Sequence, residues 1–134
     1  MSPLLFVYGT LLPDSTHPLA QRLARESEDL GPAEAPGLLY DLGGYPGLRH
    51  LPGAPQRVRG RLLALHRPAH SLAWLDAYEG CSARDPRPHE YRRQRIRVDT
   101  PHGPRQAWAY LWQGRRGRVI AGGDWLTRQP AGAT

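Results

Sequence analysis

A chain of 134 residues with 40% hydrophobic content, and no composition shift along it, is sized for one compact domain, 1–134, with a real core. The formal charge is +6 and every one of the 18 basic residues is an arginine, which invites nucleic-acid binding. The arginines are scattered, however, and the densest groups, Arg92, Arg93, Arg95 and Arg97, then Arg115, Arg116 and Arg118, have no interleaved aromatics for base stacking, so no nucleic-acid partner is expected. The single cysteine, Cys81, excludes an internal disulfide, and there is no apolar run long enough to span a bilayer and no leader-like start. A cytoplasmic protein without membrane attachment is the expectation. The excess of Ala, Gly, Pro and Arg over Lys points to a GC-rich bacterial coding sequence.

Leu4 to Tyr8 is a short apolar run that reads as a buried strand, and Gly9 is where it turns. Glycine there allows unusual dihedrals or a ligand's close approach to the backbone, and the N–H groups of such a turn can hold a carboxylate or an oxyanion. After a polar loop, Pro18 to Glu28 reads as a helix capped near Ser15 or Thr16, with Leu19, Ala20 and Leu23 as its apolar stripe. Ala33 to Asp41 reads as a strand, followed by a Gly-rich turn from Leu42 to Gly47. Val58 to Leu65 is the next strand, with Gly60 as a bulge or close-approach point.

Pro68 opens a second helix in which Leu72, Leu75 and Tyr78 recur at helical spacing, and Gly80 stops it. Cys81 to Glu90 is a polar loop. Tyr91 to Asp99 alternates arginines with Ile96 and Val98. After a turn at Pro101 to Pro104, the strand Gln106 to Trp112 carries Trp108, Tyr110 and Trp112 on one face, read as core. The tail from 127 to 134 is expected to fray. Five or six short strands with two helices make an α+β domain on a curved sheet or small barrel.

Glu79 is the candidate for chemistry. It lies in the last turn of the second helix, where the negative end of the helix dipole and burial beside Tyr78 would raise its pKa toward the range useful for proton transfer. Asp76 at helical spacing points elsewhere or caps something. His66 and His70 are four apart but interrupted by Pro68, so no metal site is expected. Cys81 has no histidine placed to activate it, and no glycine pattern for a nucleotide cofactor is present.

In order along the chain, Val7-Tyr8-Gly9-Thr10-Leu11, Tyr40-Asp41-Leu42 with Tyr45-Pro46-Gly47, Leu75-Asp76-Ala77-Tyr78-Glu79-Gly80, Tyr91-Arg92-Arg93 and Gly123-Asp124-Trp125 resemble the γ-glutamylcyclotransferase-like proteins. That family includes the γ-glutamylamine cyclotransferases and the plant avirulence-induced-gene proteins. The resemblance covers nearly the whole chain. It implies a small mixed, mostly antiparallel β-barrel with flanking short helices. It also implies a cofactor-independent enzyme that cyclises a γ-glutamyl amide or γ-glutamylamine to 5-oxoproline, with a small-molecule partner and no metal. Carried over by motif, Glu79 is the catalytic acid and base, and Tyr8, Gly9, Thr10 and Leu11 form the substrate loop. Tyr45, Pro46, Gly47 and Tyr91 complete the expected binding set. The connection from Cys81 to Glu90 is longer than in many relatives and bears on the substrate. The alternatives are a same-fold enzyme acting on another γ-glutamyl or acyl compound, and a γ-glutamyl-binding module without turnover.

Overall fold

The computed structural model describes residues 3–128. Two layers of apolar residues organise it. On β1 (Leu4–Val7) every residue is buried, because both faces of the strand are covered. Leu4 and Phe6 point into one apolar cluster with Leu39, Leu48, Val58, Leu62, Ile96 and Val98. Leu5 and Val7 belong to a second cluster, with Ala20 and Leu23 of α1 (Pro18–Arg25) and Leu72 and Leu75 of α2 (Pro68–Tyr78). The alternation of a strand thus sends neighbouring residues to the interior of a barrel and to the seat of two helices.

The strands are β2 (Ser27–Asp41), β3 (Pro46–His50), β4 (Arg57–Leu65), β5 (Tyr91–Thr100), β6 (Gly103–Trp112) and the short β7 (Arg118–Val119). β1, β4, β2, β3 and β6 are paired in that order, and a β1–β6 contact closes the circuit into a mixed barrel. Most pairings are antiparallel; β6 runs parallel to β1 at Leu5↔Trp108 and to β3 at Leu48↔Leu111. β5 forms a long hairpin with β6, from Tyr91↔Trp112 to Thr100↔Gly103.

Several expectations are corrected. The first helix ends at Arg25, with Glu26 as its C-cap, because Ser27 already pairs with Leu65 and donates its hydroxyl to the Leu23 carbonyl at 2.7 Å. β2 therefore begins six residues before Ala33, crossing a register shift between Asp29 and Gly31. The polar run from Ser27 to Pro32 shows no alternation, so the strand had no sequence signal there. The cap of α1 is His17, whose Nδ1 accepts from the Leu19 N–H at 3.1 Å, while the Ser15 hydroxyl accepts from the His17 N–H. Pro46 and Gly47, read as the end of a turn, open β3 (Pro46–His50). Pro and Gly conceal it, yet the strand is held between β2 and β6.

Gly60 marks a close approach rather than the bulge, since a Cβ there would stand 2.1 Å from the Val7 carbonyl oxygen. Tyr78 lies outside the α2 core stripe and is 41% exposed. Trp125 joins the first apolar cluster, and its ring is stacked by the Arg128 guanidinium at 3.5 Å. The expected frayed tail lies, for residues 129–134, outside the described residues. No described helix is long and apolar enough to cross a membrane.

Several of the arginines are paired with carboxylates. Arg57 pairs with Asp99, Arg59 with Glu34, Arg61 with Asp29 and Arg93 with Asp76. Each such carboxylate reduces the local field available to a phosphate backbone.

Candidate active site

The end of β1 opens onto a cavity of about 260 Å³. Tyr8 is buried and its phenol is held on both sides: it donates to the Tyr110 carbonyl at 2.6 Å and accepts from the Leu48 N–H at 3.2 Å. The chain then turns through Gly9, Thr10 and Leu11, closed by a bond from the Leu12 N–H to the Gly9 carbonyl at 3.0 Å. Gly9 is needed for space: a Cβ would fall 2.1 Å from the Pro46 Cγ. Its φ is not positive, so the dihedral freedom expected at this position is unused. Among the described residues nothing accepts from the N–H groups of Gly9, Thr10 and Leu11. A ligand oxygen is free to do so.

Glu79 reaches the same cavity from the end of α2. The helix ends in a Schellman motif, with the Gly80 N–H on the Ala77 carbonyl and the Cys81 N–H on the Asp76 carbonyl, and Gly80 adopts φ +70°. This fixes Glu79 as the C-cap, where its side chain leaves the helix surface toward the pocket. Burial, and then the nearby Glu90 carboxylate, push its pKa up to about 7. Tyr78, expected to bury it, is itself 41% exposed and stands among the residues of the cavity wall. A carboxylate near neutrality in both directions of exchange suits it to take and return a proton.

Five of the six tyrosines line this cavity: Tyr8, Tyr45, Tyr78, Tyr91 and Tyr110. The Tyr91 phenol donates to the Pro46 carbonyl at 2.5 Å, tying β5 to the proline that packs against the Gly9 turn. The Tyr110 phenol donates to Asp76 at 2.7 Å. Asp76 in turn takes two bonds from Arg93, at 2.8 and 3.2 Å, and Arg93 stacks on the Trp108 ring at 4.4 Å. Burial holds the Tyr8, Tyr91 and Tyr110 hydroxyls well above the ordinary phenol range, so they remain protonated donors. At the mouth, Tyr45 donates to Glu90 at 2.8 Å, and the Tyr78 ring meets His17 edge-on.

Of the residues singled out from sequence, Tyr8, Gly9, Thr10, Leu11, Tyr45, Pro46, Glu79 and Tyr91 all border this one cavity. Gly47 does not. It sits one position further along β3, where a Cβ would press on Trp112 at 2.8 Å. Asp76 points away from the cavity, as its spacing implied, into the pair with Arg93. Sequence reasoning missed Glu90 and Tyr78, and read Tyr110 as core. Tyr110 is buried, yet one edge of its ring faces the cavity; alternation along β6 could not separate that from ordinary packing. Glu90 had only its place beside Tyr91 to signal it.

Cys81 is unsuited to nucleophilic work, since burial and the neighbouring Asp76 push its thiol up to about 11. Among the described residues no three His, Cys, Asp or Glu side chains cluster as a metal site would require.

The sequence profile of the family described as "Gamma-glutamyl cyclotransferase, AIG2-like" matches residues 5–127. A Vibrio cholerae protein called "Putative gamma-glutamylcyclotransferase" is 39% identical over 133 residues, covering 96% of this chain and 99% of its own length. Among solved structures, ytfP from Escherichia coli is 33% identical with a TM-score of 0.59, the match covering 92% of this chain and 96% of that one. YkqA from Bacillus subtilis is 25% identical with a TM-score of 0.71; the match covers 93% of this chain but only 40% of YkqA. A mouse aig2-like protein shares the fold at a TM-score of 0.64 and 22% identity, over 95% of this chain and 84% of its own.

Proposed function

We propose that this chain, which belongs to the gamma-glutamyl cyclotransferase, AIG2-like family, cyclises a γ-glutamyl amide or γ-glutamylamine to 5-oxoproline and releases the amine. The observation that carries this reading is the sharing of one cavity by a carboxylate raised to about 7 and a turn whose backbone N–H groups have no acceptor among the described residues.

In this mechanism the Gly9–Leu11 turn receives the γ-glutamyl group through its N–H groups. Glu79 takes a proton from the substrate α-ammonium, and the freed amine attacks the side-chain carbonyl. A nitrogen–carbon bond forms, and the carbonyl oxygen gathers charge that backbone N–H donors can stabilise. Glu79 then gives its proton to the departing nitrogen and takes the second proton from the attacking nitrogen as the original amide bond breaks; passed on in turn to the freed amine, that proton leaves with it as an ammonium group and the carboxylate is restored. The proton balance is closed within the site, and the chemistry calls on no cofactor. Much of the acceleration comes from holding the substrate folded for a five-membered closure. The packed tyrosines, with their hydroxyls committed to Pro46, Tyr110 and Asp76, give the rigid wall this requires. A cytoplasmic setting belongs to the same reading, and the single unpaired cysteine supports it.

The test is release of 5-oxoproline from a panel of γ-glutamyl amino acids and γ-glutamyl amines. Wild-type protein is expected to turn over at least one, with kcat/KM rising with pH through about 7 as Glu79 ionises. Glu79→Gln is expected to lose turnover while binding the same substrate. Undiminished turnover by that variant overturns the assignment of Glu79. Absence of product from every member, with the protein folded, overturns the enzyme reading and favours a binding module.

A further inference from the structure

We propose that Glu90, held at the cavity mouth by Tyr45, selects γ-glutamyl substrates whose leaving amine carries a second, distal ammonium group, and disfavours those whose leaving amine ends in a carboxylate. This rests on the reading of the cavity as a γ-glutamyl cyclotransferase site.

The charged side chains on the described cavity wall are Glu79 and Glu90; no arginine or histidine borders it, and the chain has no lysine. Glu79 is half-buried, while Glu90 is exposed. If the substrate's reacting end lies between the Gly9–Leu11 turn and Glu79, the leaving amine extends outward past Tyr45, Tyr78 and Glu90. Both tyrosines are 41% exposed, so their rings stand at the rim rather than in the core. An ammonium group there meets the Glu90 carboxylate, which attracts a cation. A carboxylate there meets the repulsion of Glu90.

Glu90 is also fixed in place. Its carbonyl accepts from the Gln113 N–H at 2.8 Å, anchoring it where β5 begins. Its Oε1 accepts from the Tyr45 phenol at 2.8 Å, and its second oxygen has no donor among the described residues. Tyr45 follows a Gly-Gly turn that is itself held by Asp41, whose Oδ1 accepts from both the Gly43 and Gly44 N–H groups at 3.0 Å. A charge held on both sides of the mouth costs little to organise when the substrate arrives. The long Cys81–Glu90 connection brings it there.

The experiment compares three γ-glutamyl amides with the same butylene spacer, made from diaminobutane, pentylamine and aminopentanoic acid. Their tails are cationic, neutral and anionic. In wild-type protein kcat/KM is expected to fall in that order, by about threefold per step and about tenfold between the extremes, the range suited to a solvent-exposed charge. The difference should lie mainly in KM and shrink as salt is added. Glu90→Gln should bring the three within about twofold of one another; taking ratios cancels whatever the substitution does to Glu79. Tyr45→Phe keeps the charge, removes the hydrogen bond and should retain most of the discrimination.

A wild-type protein indifferent to tail charge, or a Glu90→Gln variant that keeps the preference, overturns the inference while leaving the cyclotransferase reading intact. If none of the three yields 5-oxoproline, the cyclotransferase reading fails by that measure. The same order is then sought in equilibrium binding of the amides to Glu79→Gln protein, where equal affinities overturn the role of Glu90.

Discussion

Glu79→Gln should abolish turnover and at the same time make the protein more stable above neutral pH. In the unfolded chain the carboxyl ionises near 4.5; in the folded protein it ionises near 7. Between those values the folded state holds a proton that the unfolded state has released, so stability falls as pH rises. The stabilisation from the protonated form is fully present below 4.5 and gone above about 7. At about 1.4 kcal/mol for each pH unit, the interval comes to about 3 kcal/mol. Solvent entering the cavity reduces that figure toward about 2 kcal/mol.

Gln has the same shape and no charge, so its stability should lack this fall. Urea unfolding of both proteins from pH 4 to 9 is the assay. The curves should lie close together near pH 4, with the variant gaining about 2–3 kcal/mol by pH 8, or about 10 °C in Tm. A difference that does not change with pH, or a variant less stable at pH 8, would refute the claim that Glu79 is a strained carboxylate. The same strain is what makes it useful for proton exchange, so stability and activity are expected to move in opposite directions.

Glu26 should show the opposite pH dependence. Burial raises its pKa, but bonds from Ser71, Trp74 and Arg22 outweigh that and hold it near 2; its contribution is present above 4.5 and lost as pH falls toward 2. Glu26→Gln is expected to cost about 1–2 kcal/mol at pH 7, with the deficit closing in acid, as read by denaturant melts. Gly9→Ala drives a Cβ into Pro46; about 1–3 kcal/mol of stability and about a hundredfold in kcat/KM should be lost, and a variant with normal kinetics would contradict the packing argument. Asp76→Ala strands Arg93 and the Tyr110 phenol, and should cost about 3 kcal/mol. Asp76→Asn, which keeps an acceptor for Tyr110, should cost less than half as much in the same melts.

The amino-acid sequence by itself determined the local pieces and their order. The apolar run from Leu4 to Tyr8 reads as a buried strand, and Leu4–Val7 forms one. Pro68 and Gly80 bracket the second helix through a missing N–H and a left-handed φ, both local properties. The order of five short motifs carried the resemblance to a family, and with it Glu79 and the Gly9 turn. Only the tertiary structure decided how these pieces meet. β3 is nearly invisible along the chain, since Pro46 and Gly47 argue against a strand, and it exists because β2 and β6 bond to it from either side. Tyr110 and Trp108 look alike on β6, yet Asp76 of a distant helix draws one phenol beside the cavity while Arg93 covers the other ring. Glu90 has no local feature that distinguishes it from other exposed carboxylates. Its field at Glu79 and its bond to Tyr45 join residues far apart in the chain. Local propensity sees backbone torsion and one strand's or helix's period; pKa values and specificity depend on burial and on charges across the fold, which no window of sequence contains.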